Sequence, residues 1–257
     1  MRISPSLQHW IVPLGICIAW EALGRAGLLP RYLSLPTLIV AALWEVLRDG
    51  ELLQAAAVSL YRVAVGCALG SVVGMFIGLS AGLVPSVRNF FDPLVSLLYS
   101  VPKIAFLPII LLLCGLGDAE KICIIAFSCF FPVFIASRHA ALSVDRLLIW
   151  AARNMGTPPA TMFFRVFTPA AAPQLFSGLR VGLAYSFVIL FAAELIGAQS
   201  GLGTLISAGE DAGRFDLMFA AITTFAALGF VGDRILMSIR RRVLRGQLIG
   251  TAETSMR

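Results

Sequence analysis

Residues 138–180 read RHAALSVDRLLIWAARNMGTPPATMFFRVFTPAAAPQLFSGLR, a polar interruption between two strongly apolar runs. Its charges are nearly all arginine: Arg138, Arg146, Arg153, Arg165 and Arg180 stand against one acid, Asp145. Apolar residues recur at helical spacing from Asp145 to Thr157, with Leu147, Leu148, Ala151, Ala152 and Met155 inside an arc of about 140°. Arg146, Arg153 and Thr157 point the other way. Ser143 or Asp145 can cap the start, Gly156 can end the helix, and Pro158-Pro159 enforces a break. A second short helix is expected over about 160–167, with Pro169 and Pro173 separating it from the next apolar run. The stretch therefore reads as a structured, basic helix–Gly–helix insertion.

Composition says what it is inserted into. Of 257 residues, 59% are hydrophobic and 13% charged, and the mean hydropathy is +0.90. Soluble domains carry about one-quarter charged residues, so the chain is expected to be an all-α integral membrane protein. A span needs about 20 apolar residues. Six stretches qualify, at about 9–29, 56–83, 94–116, 119–137, 174–197 and 217–238. The first mimics a signal peptide, but it contains Trp20-Glu21 and no clear small-x-small site follows, so it reads as an uncleaved helix. Leu35–Gly50 reads as a short external helix begun by Pro36, with Leu38, Ala41, Ala42 and Val46 on one face.

Lys and Arg set the orientation. With both termini in the cytoplasm, Arg2, Arg88, Lys103, the arginines of residues 138–180, Arg234 and the tail Arg240, Arg241, Arg242 and Arg245 fall inside. Arg25, Arg31, Arg48, Lys121 and Arg214 fall outside, and Arg62 is ambiguous. This leaves one membrane domain over 1–257, with a cytoplasmic loop at about 138–173 and a basic tail at about 239–257. The net charge is +6, and its placement in short loops is explained by orientation without a nucleic-acid partner.

The second span carries Gly66, Gly70, Gly74, Gly78 and Gly82, every fourth residue on one helical face. Small-xxx-small faces let membrane helices approach closely, so this is a packing seam, either internal or between protomers. Gly78-Leu-Ser-Ala-Gly82 matches the G-x-S-x-G nucleophile pattern, but it lies mid-span and the only histidines are His9 and His139. No catalytic residue is assigned. The five cysteines sit in or beside apolar runs without C-x-x-C spacing, so no disulfide or metal site is expected. Polar residues at membrane depth, Ser128, Tyr185, Ser186 and Glu194, are candidates for a solute pathway, with an interhelical hydrogen bond as the plain alternative. Arg62 and Lys103 are candidates to favour an anion. Glu194, near a helix C-terminal end, opposes the dipole and needs a partner or water.

From pattern alone the basic insertion has two readings, a knob for a soluble partner or a helix lying at the lipid headgroups. Its residues resemble the EAA loop of ABC importer permeases, with pattern E-A-A, three residues, G, and an I-x-L-P-like end. Ala151-Ala152, Gly156 and Pro169 match. Trp150 stands where the family has Glu, and Val166-Phe167-Thr168-Pro169 stands for I-x-L-P. Ser59-Leu60-Tyr61-Arg62, Pro102-Lys103-Ile104-Ala105-Phe106-Leu107-Pro108, Gly115-Leu116-Gly117, Gly178-Leu179-Arg180, Ala193-Glu194-Leu195-Ile196-Gly197, Ser200-Gly201-Leu202-Gly203 and Asp233 are similar to the nitrate/sulfonate/taurine branch.

The resemblance implies a multi-pass permease of a bacterial inner membrane, working as a homodimer, with the coupling loop between helices 4 and 5. Trp150, Ala151, Ala152, Arg153, Met155, Gly156 and Pro169 would form the element that sits in a cleft of a cytoplasmic ATPase subunit. A periplasmic or lipid-anchored solute-binding protein would deliver a small, anionic solute to the outer face. ATP and Mg would bind the ATPase; this chain has no G-x-x-x-x-G-K-[ST] motif, binds no cofactor of its own and is not an enzyme. The competing class is a secondary transporter coupled to an ion gradient, against which stand the missing inverted repeat and the scarcity of deep charges.

Overall fold

The computed structural model describes residues 5–244; Arg2, Arg245 and the rest of the basic tail lie outside the described residues. Every regular element among them is helical: α1 Pro5–Arg25, α2 Pro36–Arg48, α3 Glu51–Leu83, α4 Pro85–Tyr99, α5 Leu107–Cys114, α6 Asp118–Ser143, α7 Arg146–Asn154, α8 Pro159–Met162, α9 Thr168–Gly197, α10 Leu202–Asp211 and α11 Phe215–Val243. A 3₁₀ turn, Lys103–Phe106, precedes α5, and a π turn, Phe163–Phe167, leads into α9. Four helical stretches are long and apolar enough to cross a membrane: Glu51–Leu83, Asp118–Ser143, Phe163–Gly197 and Phe215–Val243. A fifth is possible if α4 and the Lys103–Cys114 segment make one broken span. α1 is not among these.

Two expectations change. The candidate span at about 94–116 is not one helix, and the prolines there, expected to kink it, accompany a sharper break: α4 and the following segment meet at an angle of 98°. Pro102 has no N–H to continue α4, and the residue before a proline is pushed out of the helical region. Lys103 then seals the open end. Its Nζ donates to the carbonyls of Leu98, Tyr99 and Val101 at 2.9, 2.6 and 2.8 Å, and it lies 4.9 Å from the Phe131 ring centre. A cation at a helix C-terminus also opposes the negative end of the dipole.

The second change is at Pro169 and Pro173, which do not separate the loop from the fifth span. Helix runs from Phe163 to Gly197 without interruption. The π turn makes this possible: Thr168 donates both its N–H and its hydroxyl to the Phe163 carbonyl, the latter at 2.9 Å. The wider turn places Pro169, which has no donor, where the ladder is already rearranged.

The described residues form two compact units, 5–59 with 194–227, and 60–193 with 228–244. In the first, α2 buries Ile39, Ala42 and Val46 and packs through Ile39 and Ala42 on Ala220, with Trp20 and Phe219 alongside. Leu38, placed on the apolar face by the sequence, is exposed. Neither α2 nor α10 has a side-chain cap of its own; each takes a glutamate from a distant residue. Glu21 accepts from the Thr37 N–H at 3.1 Å and its hydroxyl at 2.8 Å. Glu194 accepts from the Gly203 N–H at 3.0 Å. Carboxylates are stabilised at helix N-termini. Arg214 pairs with Glu45, 2.8 Å, fastening α2 to the start of α11.

The second unit is built on α6, whose span window is the most buried of the four. α6 buries Ile124, Ile125, Cys129, Phe131, Val133 and Phe134. The glycine column of α3 lies directly on it. A Cβ added at Gly66 would stand 2.7 Å from the Ile125 side chain, at Gly74 2.8 Å from the Phe130 carbonyl, and at Gly78 2.5 Å from the Phe134 carbonyl; Gly70 and Gly82 face Ala126 and Ala141 as closely. Gly178 and Gly182 of α9 approach α6 the same way, against Ala136 and Cys129. Absent side chains thus bring three helices into backbone contact, where dispersion replaces the hydrophobic effect as the attraction.

Candidate functional site

The basic insertion folds much as its spacing indicates. Asp145 caps α7, its carboxylate accepting from the Leu147 N–H at 2.8 Å. At the other end Gly156 has φ +71°, and its N–H donates to the Arg153 carbonyl at 2.9 Å while Thr157 N–H donates to Ala152 at 3.1 Å. This is the paired 5→2 and 6→1 ending that a left-handed residue permits and a side chain would strain.

The helix presents a different face from the one spacing alone assigns. Ala152 is 7% exposed, and Ile149 packs on the cluster of Ala140, Ala141, Val144, Phe167, Ala171 and Leu175. These two residues fix α7 to the body of its unit. Leu147, Leu148, Trp150 and Met155 are exposed, Trp150 at 62% and Met155 at 80%. Ala151, Arg153 and Gly156 are exposed with them. Ala152 therefore anchors the helix instead of lying on its free face. Trp150, treated by sequence as a departure, is the largest group on that face.

The residues suggested for a solute pathway do not gather. Ser128 is fully buried in α6 and its hydroxyl has no hydrogen-bond partner. Ser186 is buried and donates to the Gly182 carbonyl at 2.8 Å. Glu194 is buried in the first unit, where the Ser59 hydroxyl donates to its carboxylate at 2.9 Å and the Leu202 N–H donates to the Ser59 oxygen at 3.0 Å. The partner that Glu194 requires is thus Ser59 with the start of α10, and its work is to hold a short helix. Of the four only Tyr185 is exposed, close to Tyr99.

The cations near the spans are engaged as well. Arg62, buried, pairs with Asp118 at 2.5 Å. Lys121, also buried, lies 3.3 Å from Glu120 and donates to the Gly117 carbonyl. Arg138 pairs with Asp92 at 2.6 Å, and Arg180 with Asp233 at 2.6 Å. Arg62 and Lys103 are thus structural in the first instance.

One feature of the second unit was not legible as a site. Two adjoining cavities, of about 400 and 200 Å³, share Tyr99, Ile135 and His139. The larger adds Asp92, Ser96 and Arg138, and the smaller Gln174, Ser177 and Gly178. The sequence signal was faint: Ser96/Tyr99 and Gln174/Ser177 are polar pairs three residues apart, each on one helical face.

Comparison with known proteins adds the following. Residues 70–245 match the family described as binding-protein-dependent transport system inner membrane component. An aliphatic sulfonates transport permease protein, SsuC, of Bacillus subtilis is 31% identical over 93% of this chain and 87% of its own length. The taurine transport system permease protein TauC of Escherichia coli is 34% identical over 76% of this chain and 71% of its own. The nitrate import permease protein NrtB of Synechocystis is 27% identical over 72% and 68%. A solved structure of the MetNI methionine ABC transporter, in an inward-facing conformation, superposes with a TM-score of 0.55 and 22% identity, over 81% of this chain and 97% of that one.

Proposed function

Because this chain belongs to the family of binding-protein-dependent transport system inner membrane components, we propose that it is the permease subunit of an ATP-driven importer of a small organic or inorganic anion. It is a transport component, and its ABC permease relatives carry sulfonates, taurine or nitrate in their names. The observation that supports the coupling role best is the exposed apolar face of α7, held at a fixed angle by Ile149 and Ala152. On this reading Leu147, Trp150, Ala151 and Met155 enter a cleft of a cytoplasmic ATPase subunit, which binds ATP and Mg. Arg153 rims the contact, Gly156 turns the chain, and Pro169 lies beyond the π turn. The indole of Trp150 supplies buried area where the family's glutamate supplies charge.

The same reading makes α1, α3, the bent α4–α5 pair, α6, α9 and α11 six passes of a bacterial inner membrane, with both termini inside. Both compact units then serve one permease domain, paired with a second copy and served by a periplasmic or lipid-anchored solute-binding protein. Lipid surrounds the exposed apolar side chains, no nucleic acid is involved, and the solute crosses by alternating access as the ATPase closes and opens.

Co-expression with the cognate ATPase is the test. The two are expected to co-purify and, in liposomes, to show ATP-driven uptake that requires the binding protein. Gly156→Glu, which strains the turn and sets a bulky carboxylate beside the docking face, is expected to abolish coupling while the protein still inserts. Unchanged assembly and uptake with Gly156→Glu and with Trp150→Asp would overturn the coupling assignment.

A further inference from the structure

We propose that Cys114 and Cys123 form a disulfide at the outer end of α5 and α6, made by exchange with a soluble disulfide oxidant. The side of the membrane rests on the permease reading above; the pairing rests on geometry. Sequence spacing gave no hint of it, because eight residues separate the two thiols. Cys114 is the last residue of α5 and Cys123 lies in the second turn of α6. Gly115 at φ +74° and Gly117 at φ +150° turn the chain between them. The two sulfurs stand 3.6 Å apart, in van der Waals contact. A disulfide bond is about 2.0 Å long, so a gap of about 1.6 Å remains, within reach of side-chain rotation.

Access sets this pair apart from the other close pair of thiols. Cys67 and Cys129 are also 3.6 Å apart, but Cys129 is fully buried and faces Gly182 of α9. Cys114 and Cys123 are both exposed. Exchange requires an oxidant to reach the sulfur. Water reaches this end of α6: Asp118, next after Gly117, pairs with Arg62 yet keeps its side chain 52% exposed, and an ionised carboxylate is not left facing hydrocarbon. With both termini inside, the turn lies outside, where disulfides form and persist.

The chemistry balances. One cysteine thiolate attacks a sulfur of the oxidant's disulfide, forms a mixed disulfide and expels one oxidant thiolate. The other cysteine thiolate attacks the first cysteine's sulfur, closes the Cys114–Cys123 bond and expels the second oxidant thiolate. Two cysteines give up two protons and two electrons, and the oxidant leaves as a dithiol. The bond ties the arm that follows the Pro102 bend to α6.

Differential alkylation tests this. Cells are quenched in acid, and the denatured protein is treated with N-ethylmaleimide, reduced, and treated again with its heavy isotopologue. Mass spectrometry scores each cysteine peptide. Cys114 and Cys123 are expected to carry the second label at least about tenfold over the first, and Cys67 and Cys129 the first. In Cys114→Ser, Cys123 is expected to switch to the first label. Cys114 and Cys123 recovered with the first label from wild-type cells would refute the disulfide. So would a Cys123 that stays oxidised in Cys114→Ser, or oxidation of Cys67 and Cys129 in their place. Sidedness is read apart: once reduced, Cys114 and Cys123 are expected to react with an impermeant maleimide in right-side-out vesicles. Reaction only in inverted vesicles would refute the orientation, and the proposal with it. Labelling from outside together with free thiols in cells would remove the disulfide alone and leave the permease reading standing.

Discussion

At the scale of single residues, the buried polar groups are mostly fasteners. Glu194 receives the Ser59 hydroxyl and the Gly203 N–H. Glu194→Ala leaves both donors buried without that acceptor and is expected to destabilise the protein by about 3 kcal/mol, whereas Glu194→Gln keeps one acceptor and restores part of the loss. Thermal unfolding in detergent reads both. Gly70 illustrates the opposite economy, a side chain that must be missing: a Cβ there meets the Ala126 backbone, and backbone cannot rotate away. Gly70→Leu is expected to cost at least about 2 kcal/mol, seen as a lowered Tm and a loosened α3–α6 seam. Glu45 is an acid-sensitive case. The hydrogen bond from Arg214, reinforced by its charge, holds the Glu45 carboxyl below its usual 4.5. A carboxylate with a depressed folded-state pKa contributes stability above the unfolded value and loses it as pH falls through the folded one. The wild type should therefore lose stability below pH 4.5 by a small margin more than Glu45→Gln, in the difference between their Tm–pH curves.

At the scale of elements, the sequence was informative wherever periodicity and local chemistry agree. The limits of α2, the Asp145 cap and Gly156 ending of α7, and the glycine face of α3 were all visible as spacing. Contacts made by distant residues were not. Nothing local says that Glu21 caps α2 and Glu194 caps α10, because each carboxylate is far from its partner in the chain. The prolines around the bend after α4 were visible as a kink signal, but a break as sharp as 98° was not. Ala152 was assigned to the wrong side for a related reason: spacing defines an apolar arc, but which edge of the arc is buried depends on Val144, Phe167 and Ala171 elsewhere. The bend also yields a prediction. Lys103→Met removes three hydrogen bonds from carbonyls that Pro102 leaves open, so amide exchange around residues 98–106 should quicken and stability fall by about 2 kcal/mol.

At the scale of the whole molecule, the membrane class and family were legible from composition and from motifs scattered over most of the chain. The two compact units were not, because their boundaries fall inside α3, α9 and α11, where no linker composition marks them. Adding the ATPase should slow amide exchange at the exposed residues of α7 while leaving α2 unchanged, and equal protection at both would argue against docking through α7. The uninterrupted helix from Phe163 to Gly197 has a mechanical meaning. A hinge between loop and span would dissipate a push as local bending; helix that continues through the π turn at Phe163–Phe167 would instead pass a displacement at the loop on as tilt or rotation of the whole span. If α7 docks an ATPase as proposed, stiffening that one turn should change how far the span moves without changing how tightly the ATPase is held.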